Sequence, residues 1–92
     1  MRIVYTKIAQ EDLANVKDYL KSRNPIAYKN LWFRFNEIFA LLSDNPYVGA
    51  LGRLKHTKEF FITNTNYYIV YHINNTKNQL EILNILHTKR KY

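Results

Sequence analysis

The order and period of its apolar segments predict an α+β chain: an N-terminal strand and an antiparallel helical hairpin packed on a small antiparallel sheet, β-α-α-β-β-β. Three observations carry this. Between residues 8 and 43 apolar side chains recur at helical spacing, with one break at Asn24-Pro25. From Phe60 onward the pattern changes to short runs of β-branched and aromatic residues separated by asparagine-rich turns. The chain also opens on Ile3-Val4-Tyr5, which reads as a short strand over 2–5.

The first helix is expected over 8–22, where Ala9, Leu13, Val16 and Leu20 share a face. Glu11 and Asp12 lie near its positive dipole end. Asn24 is a good N-cap and Pro25 suits the first helical position, so a second helix starts there and runs to about Ser43. Its stripe is Tyr28, Leu31, Phe35, Ile38 and Leu42, widened by Trp32 and Phe39. Ile26, Phe33 and Leu41 fall outside the stripe and are expected as half-buried neighbours, with Phe33 also open to the role of an exposed anchor for a partner.

Asp44-Asn45-Pro46 ends that helix. Tyr47 to Thr57 contains both glycines, Gly49 and Gly52, and has no period, so it reads as a loop. Strands are expected at Phe60–Thr63, Tyr67–Ile73 and Gln79–His87, joined by Asn64–Asn66 and Asn74–Asn78. Strict alternation in the last strand sets Ile82 and Leu86 opposite Leu83 and Ile85, as in a central strand covered on both faces.

Composition narrows the class. A chain of 92 residues is one domain, 1–92, with a core near the low end for unaided stability. There is no cysteine, so neither a disulfide nor a thiolate ligand can help it. The N-terminal apolar run is too short for a signal peptide, and no run approaches the roughly 18 apolar residues of a membrane span, so a soluble cytoplasmic protein without membrane contact is expected. Residues 1–45 carry seven Lys/Arg against five Asp/Glu, and residues 46–92 seven against two, which splits the net charge of +7 into +2 and +5. Such asymmetry favours an acidic partner.

The basic groups fall in two places. Arg53, Lys55, His56 and Lys58 cluster in and after the glycine loop. His87, Lys89, Arg90, Lys91 and Tyr92 follow the last strand directly. A stiff strand presenting cations, an imidazole and a phenol suits a polyanion or phosphodiester chemistry, and a solvated basic tail is the simpler alternative. His56 is expected to be exposed, and His72 to be a structural residue of a half-buried strand face. The three histidines have no metal-ligand spacing, so no metal and no cofactor is expected.

Taken in order, several pieces resemble the RelE/ParE superfamily of bacterial toxins. They are Ala9-x-x-Asp12-Leu13, Asn45-Pro46-Tyr47-x-Gly49, Thr57-Lys58-Glu59-Phe60, Tyr67-Tyr68-Ile69-Val70-Tyr71, and Leu80-Glu81-Ile82-Leu83-x-Ile85-Leu86-His87 with its basic end. The resemblance covers the whole chain. It implies the toxin of a type II toxin–antitoxin module, which arrests growth and is neutralised by a small acidic antitoxin. The Pro46-Tyr47-x-Gly49 loop, the Thr57-Lys58-Glu59 strand start and the Leu86-His87 ending look closer to the ParE-like branch, whose members inhibit DNA gyrase without chemistry of their own. On that reading Arg53, Lys55, Lys58, Lys89, Arg90 and Lys91 bind the target, while Phe33 and Trp32 bind the antitoxin.

The alternative is a RelE-like, ribosome-dependent mRNA endonuclease. Attack by a 2′-hydroxyl needs a base, cations at the phosphorane and an acid for the leaving oxygen. His87, Tyr92, Lys89, Arg90 and Lys58 could fill those roles. One departure weighs against it: Tyr68 stands where RelE-like toxins usually carry an arginine just before the core of the central strand. Lys58 likewise replaces an arginine typical of ParE-like sequences, keeping the charge and losing the bidentate fork. A non-toxic basic binding module is the third reading.

Overall fold

A computed structural model describes residues 1–88. The elements are β1 (Arg2–Tyr5), α1 (Lys7–Arg23), α2 (Pro25–Asp44), β2 (Ala50–Leu51), β3 (Lys58–Phe61), β4 (Tyr67–Asn74) and β5 (Gln79–His87), with a 3-10 turn at Pro46–Val48. Both helices and the last two strands lie within a residue of their expected bounds. The α+β class is as expected.

Local chemistry sets the helix ends. The Thr6 hydroxyl accepts the Ala9 N–H at 3.2 Å and opens α1. Asn24 works twice: its N–H closes α1 on the Leu20 carbonyl at 2.8 Å, and its side chain accepts the Ala27 N–H at 3.1 Å to start α2. This one residue turns the chain back on itself. The Ser43 hydroxyl then donates to the Met1 carbonyl at 2.6 Å, and Tyr5 meets the Phe39 ring edge-on at 5.2 Å, so the far end of α2 returns to the start of the sheet.

The strand order is β1-β5-β4-β3-β2. The three C-terminal strands β3, β4 and β5 pair antiparallel as expected, while β1 joins β5 in parallel and makes the sheet mixed. β1 ends at Tyr5, which leaves the second half of β5 without a strand on that side. Side chains cover that edge. The Thr6 hydroxyl donates to the Ile82 carbonyl at 2.8 Å, and Asp12 on α1 accepts the Ile85 N–H at 2.9 Å.

Three expectations need correction. The stretch from Tyr47 to Thr57 is more than a loop, because Ala50 and Leu51 pair with Glu59 and Lys58 as a two-residue edge strand. Such a strand is too short to show a period. β3 accordingly begins at Lys58, two residues before the expected start, and stops at Phe61. The third correction concerns the last strand. A bulge falls where the register steps from Val70↔Asn84 to Tyr71↔Ile82, with Leu83 as the extra residue. It shifts the phase of the alternation, so Leu80, Ile82 and Ile85 all enter the helix-side core.

That core packs Ala9 and Val16 of α1 and Leu31, Phe35, Ile38, Phe39 and Leu42 of α2 against Ile69, Tyr71, Leu80, Ile82 and Ile85 of the sheet. Ile26, Phe33 and Leu41 are exposed rather than half-buried, at 73%, 66% and 37%. The other sheet face carries Glu59, Phe61, Tyr68, Val70 and Leu86, aligned by the pairings Phe61↔Tyr68↔Leu86 and Glu59↔Val70. Among the described residues no helix is long and apolar enough to cross a membrane.

Candidate functional site

The anchor of the glycine loop is a hydroxyl. Tyr71 points from the core and donates to the Pro46 carbonyl at 2.8 Å, and its oxygen accepts the Gly49 N–H at 3.0 Å. A Cβ at Gly49 would collide with that hydroxyl, so glycine here serves close approach. Burial pushes the Tyr71 hydroxyl above the ordinary 10.0, and the Gly49 N–H pulls it partly back.

Beyond Gly49 the chain folds over the outer sheet face. Gly52 N–H donates to the Thr57 carbonyl at 2.9 Å, and the Thr57 hydroxyl donates to the Leu54 carbonyl at 2.6 Å. Glu59 is 5% exposed; its carboxylate accepts the Arg53 N–H at 3.1 Å and lies 4.0 Å from the Arg53 Nε. The Arg53 guanidinium lies 5.8 Å from the Tyr68 ring centre, and Phe61 stacks on the same ring at 4.9 Å and 23°. Lys55 and His56 are exposed on the turn of this strap, with His56 at φ 63°. The His56 carbonyl meets Nδ1 of His72 at 2.8 Å, which gives His72 a structural task.

Lys58 is set apart from Arg53 and Lys55. It pairs with Tyr71 and therefore shares the helix-covered face at the glycine-loop end, where its ammonium donates to the Gly49 carbonyl at 3.3 Å and lies 6.0 Å from the Tyr47 ring centre. His87 pairs with Tyr67 at the start of β4. From Tyr67 to Tyr71 is four steps along the strand, about 13 Å. His87 meets the Tyr67 ring edge-on at 5.2 Å and lines a cleft of about 300 Å³ with Asp12, Asn15 and Tyr19. Lys58 and His87 are thus not brought together. Lys89, Arg90, Lys91 and Tyr92 lie outside the described residues.

Tyr68, at the position where an arginine is usual in RelE-like sequences, is 1% exposed, and its hydroxyl has no hydrogen-bond partner among the described residues. Trp32 and Phe33 part company as well. Trp32 is half-buried, 5.2 Å from the Tyr28 ring and 5.5 Å from the Phe35 ring, and packs against the core. Phe33 points outward into a groove between α2 and the turn joining β3 to β4. Among the described residues no three metal-ligating side chains converge.

Residues 3–92 match the family model described as the ParE toxin of the type II toxin-antitoxin system, parDE. The chain belongs to the ParE toxin family. A curated relative, the putative toxin Y4kP of Sinorhizobium fredii (strain NBRC 101917 / NGR234), is 28% identical over 91 residues, covering 99% of this chain and 92% of that one. Among solved structures, the chromosomal ParDE system of P. aeruginosa superposes with a TM-score of 0.70 at 14% identity, covering 95% of each chain. The isolated E. coli RelE toxin superposes with a TM-score of 0.65 at 10% identity, covering 98% of this chain and 86% of that one. At those identities the likeness is one of fold, shared by ParE and RelE structures alike.

Three residues of the ParE-family chain do work that sequence reasoning left unassigned. Glu59 holds Arg53, Asp12 caps β5, and Tyr71 clamps Gly49. All three stand inside the sequence pieces quoted for the resemblance. The remaining signal, an acidic residue in a run of aromatic strand formers, is visible at Glu59 alone.

Proposed function

We propose that this ParE-family toxin arrests growth by docking on DNA gyrase in the cytoplasm, without cutting RNA, and that a cognate acidic antitoxin neutralises it. The observation that carries the gyrase reading is the separation of the chemistry-bearing groups. Lys58 is engaged at the Gly49 carbonyl, while His87 stands about 13 Å of strand away beside Tyr67. General acid–base catalysis needs its groups within hydrogen-bond reach of one substrate. The buried Tyr68 phenol supplies no cation where a phosphate ligand is usual in nucleases of this fold. The family match points the same way.

What the outer face does offer is a docking patch. Phe61 is 51% exposed and stacked on Tyr68, Arg53 lies over the same Tyr68 ring, and Lys55 is exposed on the Glu59-anchored strap. An aromatic anchor flanked by cations suits an acidic protein surface. The test is a supercoiling assay with purified gyrase and purified toxin. Inhibition is expected, with Phe61→Ala and Arg53→Ala each weakening it about tenfold or more. Full supercoiling at saturating toxin, together with cleavage of ribosome-bound mRNA, would assign the protein to the RelE-like nucleases instead.

A further inference from the structure

Tyr68 and Tyr71 stand on the same strand, and both are buried, at 1% and 0% exposed. Their hydroxyls differ. That of Tyr71 is engaged twice, at the Pro46 carbonyl and the Gly49 N–H. That of Tyr68 is enclosed and has no hydrogen-bond partner among the described residues. A buried hydroxyl left unpaired costs the fold stability that phenylalanine at the same place would not. Its presence calls for a reason outside the packing of the sheet.

An acceptor within the chain stands close by and is directed elsewhere. Glu59 pairs with Val70 while Phe61 pairs with Tyr68, so Glu59 and Tyr68 are diagonal neighbours on one sheet face. The Glu59 carboxylate accepts the Arg53 N–H at 3.1 Å and lies 4.0 Å from the Arg53 Nε. It thereby holds the Arg53 guanidinium 5.8 Å from the Tyr68 ring centre. A cation and an O–H donor therefore meet at one ring. The cover over that ring is light, because Phe61 stacks on it while 51% exposed and the Arg53 side chain is 59% exposed. Exposed side chains change rotamer quickly and without moving the backbone. Two donors, one of them charged, select an anionic acceptor, and a carboxylate can take both at once. Lys55, exposed on the same strap, adds to the attraction.

We propose that the target inserts an aspartate or glutamate side chain beside the Phe61 ring, where its carboxylate takes the Tyr68 O–H and the Arg53 guanidinium together. Glu59 is a positioning residue, which keeps Arg53 at the ring. The inference rests on the gyrase reading above and names the chemistry that its docking patch recognises. The hydroxyl that weakens the free toxin is the one that the bound target satisfies, an exchange of stability for function.

The test uses the full-length toxin and purified gyrase, with Tyr68→Phe, Arg53→Ala and the double variant. Melting temperature, affinity for gyrase, supercoiling and growth arrest are measured for each. Tyr68→Phe is expected to melt about 4 °C or more above wild type, because it removes an unpaired buried group. The same variant is expected to bind gyrase about tenfold more weakly and to arrest growth less. The double variant is expected to lose less affinity than the product of the two single losses, since both donors hold one carboxylate. A Tyr68→Phe toxin that binds as wild type does overturns the proposal, and the gyrase reading stands if both still inhibit supercoiling. A lower melting temperature in Tyr68→Phe also overturns it, because the hydroxyl then serves the fold. A double loss equal to the product overturns the shared carboxylate. If wild-type toxin leaves supercoiling intact, yet Tyr68→Phe melts higher and loses growth arrest, the donor pair holds for another acidic target and the gyrase reading fails.

Discussion

The Tyr71 hydroxyl shows how much one polar atom organises. It satisfies the Pro46 carbonyl and the Gly49 N–H at once, and so fixes where the chain leaves α2 and enters the basic strap. Tyr71→Phe keeps the ring and strands both backbone groups, so a loss of about 2 kcal/mol is expected in a urea melt. Gly49→Ala is expected to cost at least as much, since its new methyl meets the same hydroxyl. Burial raises the ionisation of Tyr71 and of Tyr5 above 10.0 in the folded chain. The folded state therefore holds those protons more tightly than the unfolded state. Their contribution to stability is complete below pH 10 and is lost as pH rises through the raised folded values. Thermal melts across that range are expected to show falling stability, with the Tyr71→Phe variant falling less steeply.

At the scale of elements, β5 separates what the sequence displays from what it hides. Helix bounds were legible because caps and periodic stripes are local: Asn24-Pro25 announces its own turn. The long strands were legible from composition. The bulge at Leu83 was not, because it follows from pairing two strands whose lengths between turns differ, and nothing at Leu83 itself marks it. The edge cap by Asp12 was hidden for the same reason, being a contact 73 residues long. Asp12→Ala removes the acceptor for the Ile85 N–H where β1 has run out, so a loss of about 2 kcal/mol is expected in denaturant. Amide exchange is expected to rise first at Ile85. Of the candidate site, the sequence showed which residues carry charge and aromatic surface. It could not show that Lys58 and His87 flank β4 on opposite sides and four residues apart along it, or that Phe33 faces outward while Trp32 packs inward.

Across the whole molecule, one face of the sheet builds the core with the helical hairpin and the other carries an aromatic patch under a basic strap. The groove beside α2 forms a separate surface. The target is proposed to dock on the sheet, and an antitoxin is the second expected partner. With the net charge at +7, both encounters are expected to slow as salt rises from 50 to about 300 mM, measured as association rates. His87→Ala and Lys58→Ala are expected to leave growth arrest within about threefold of wild type, since neither side chain belongs to the docking patch around Phe61. The most direct measurement is induced expression in a sensitive host, with transcript integrity and DNA-damage induction followed over the same minutes. A prompt damage response with intact transcripts is the predicted result. Cleavage of translated mRNA ahead of any damage response would contradict it.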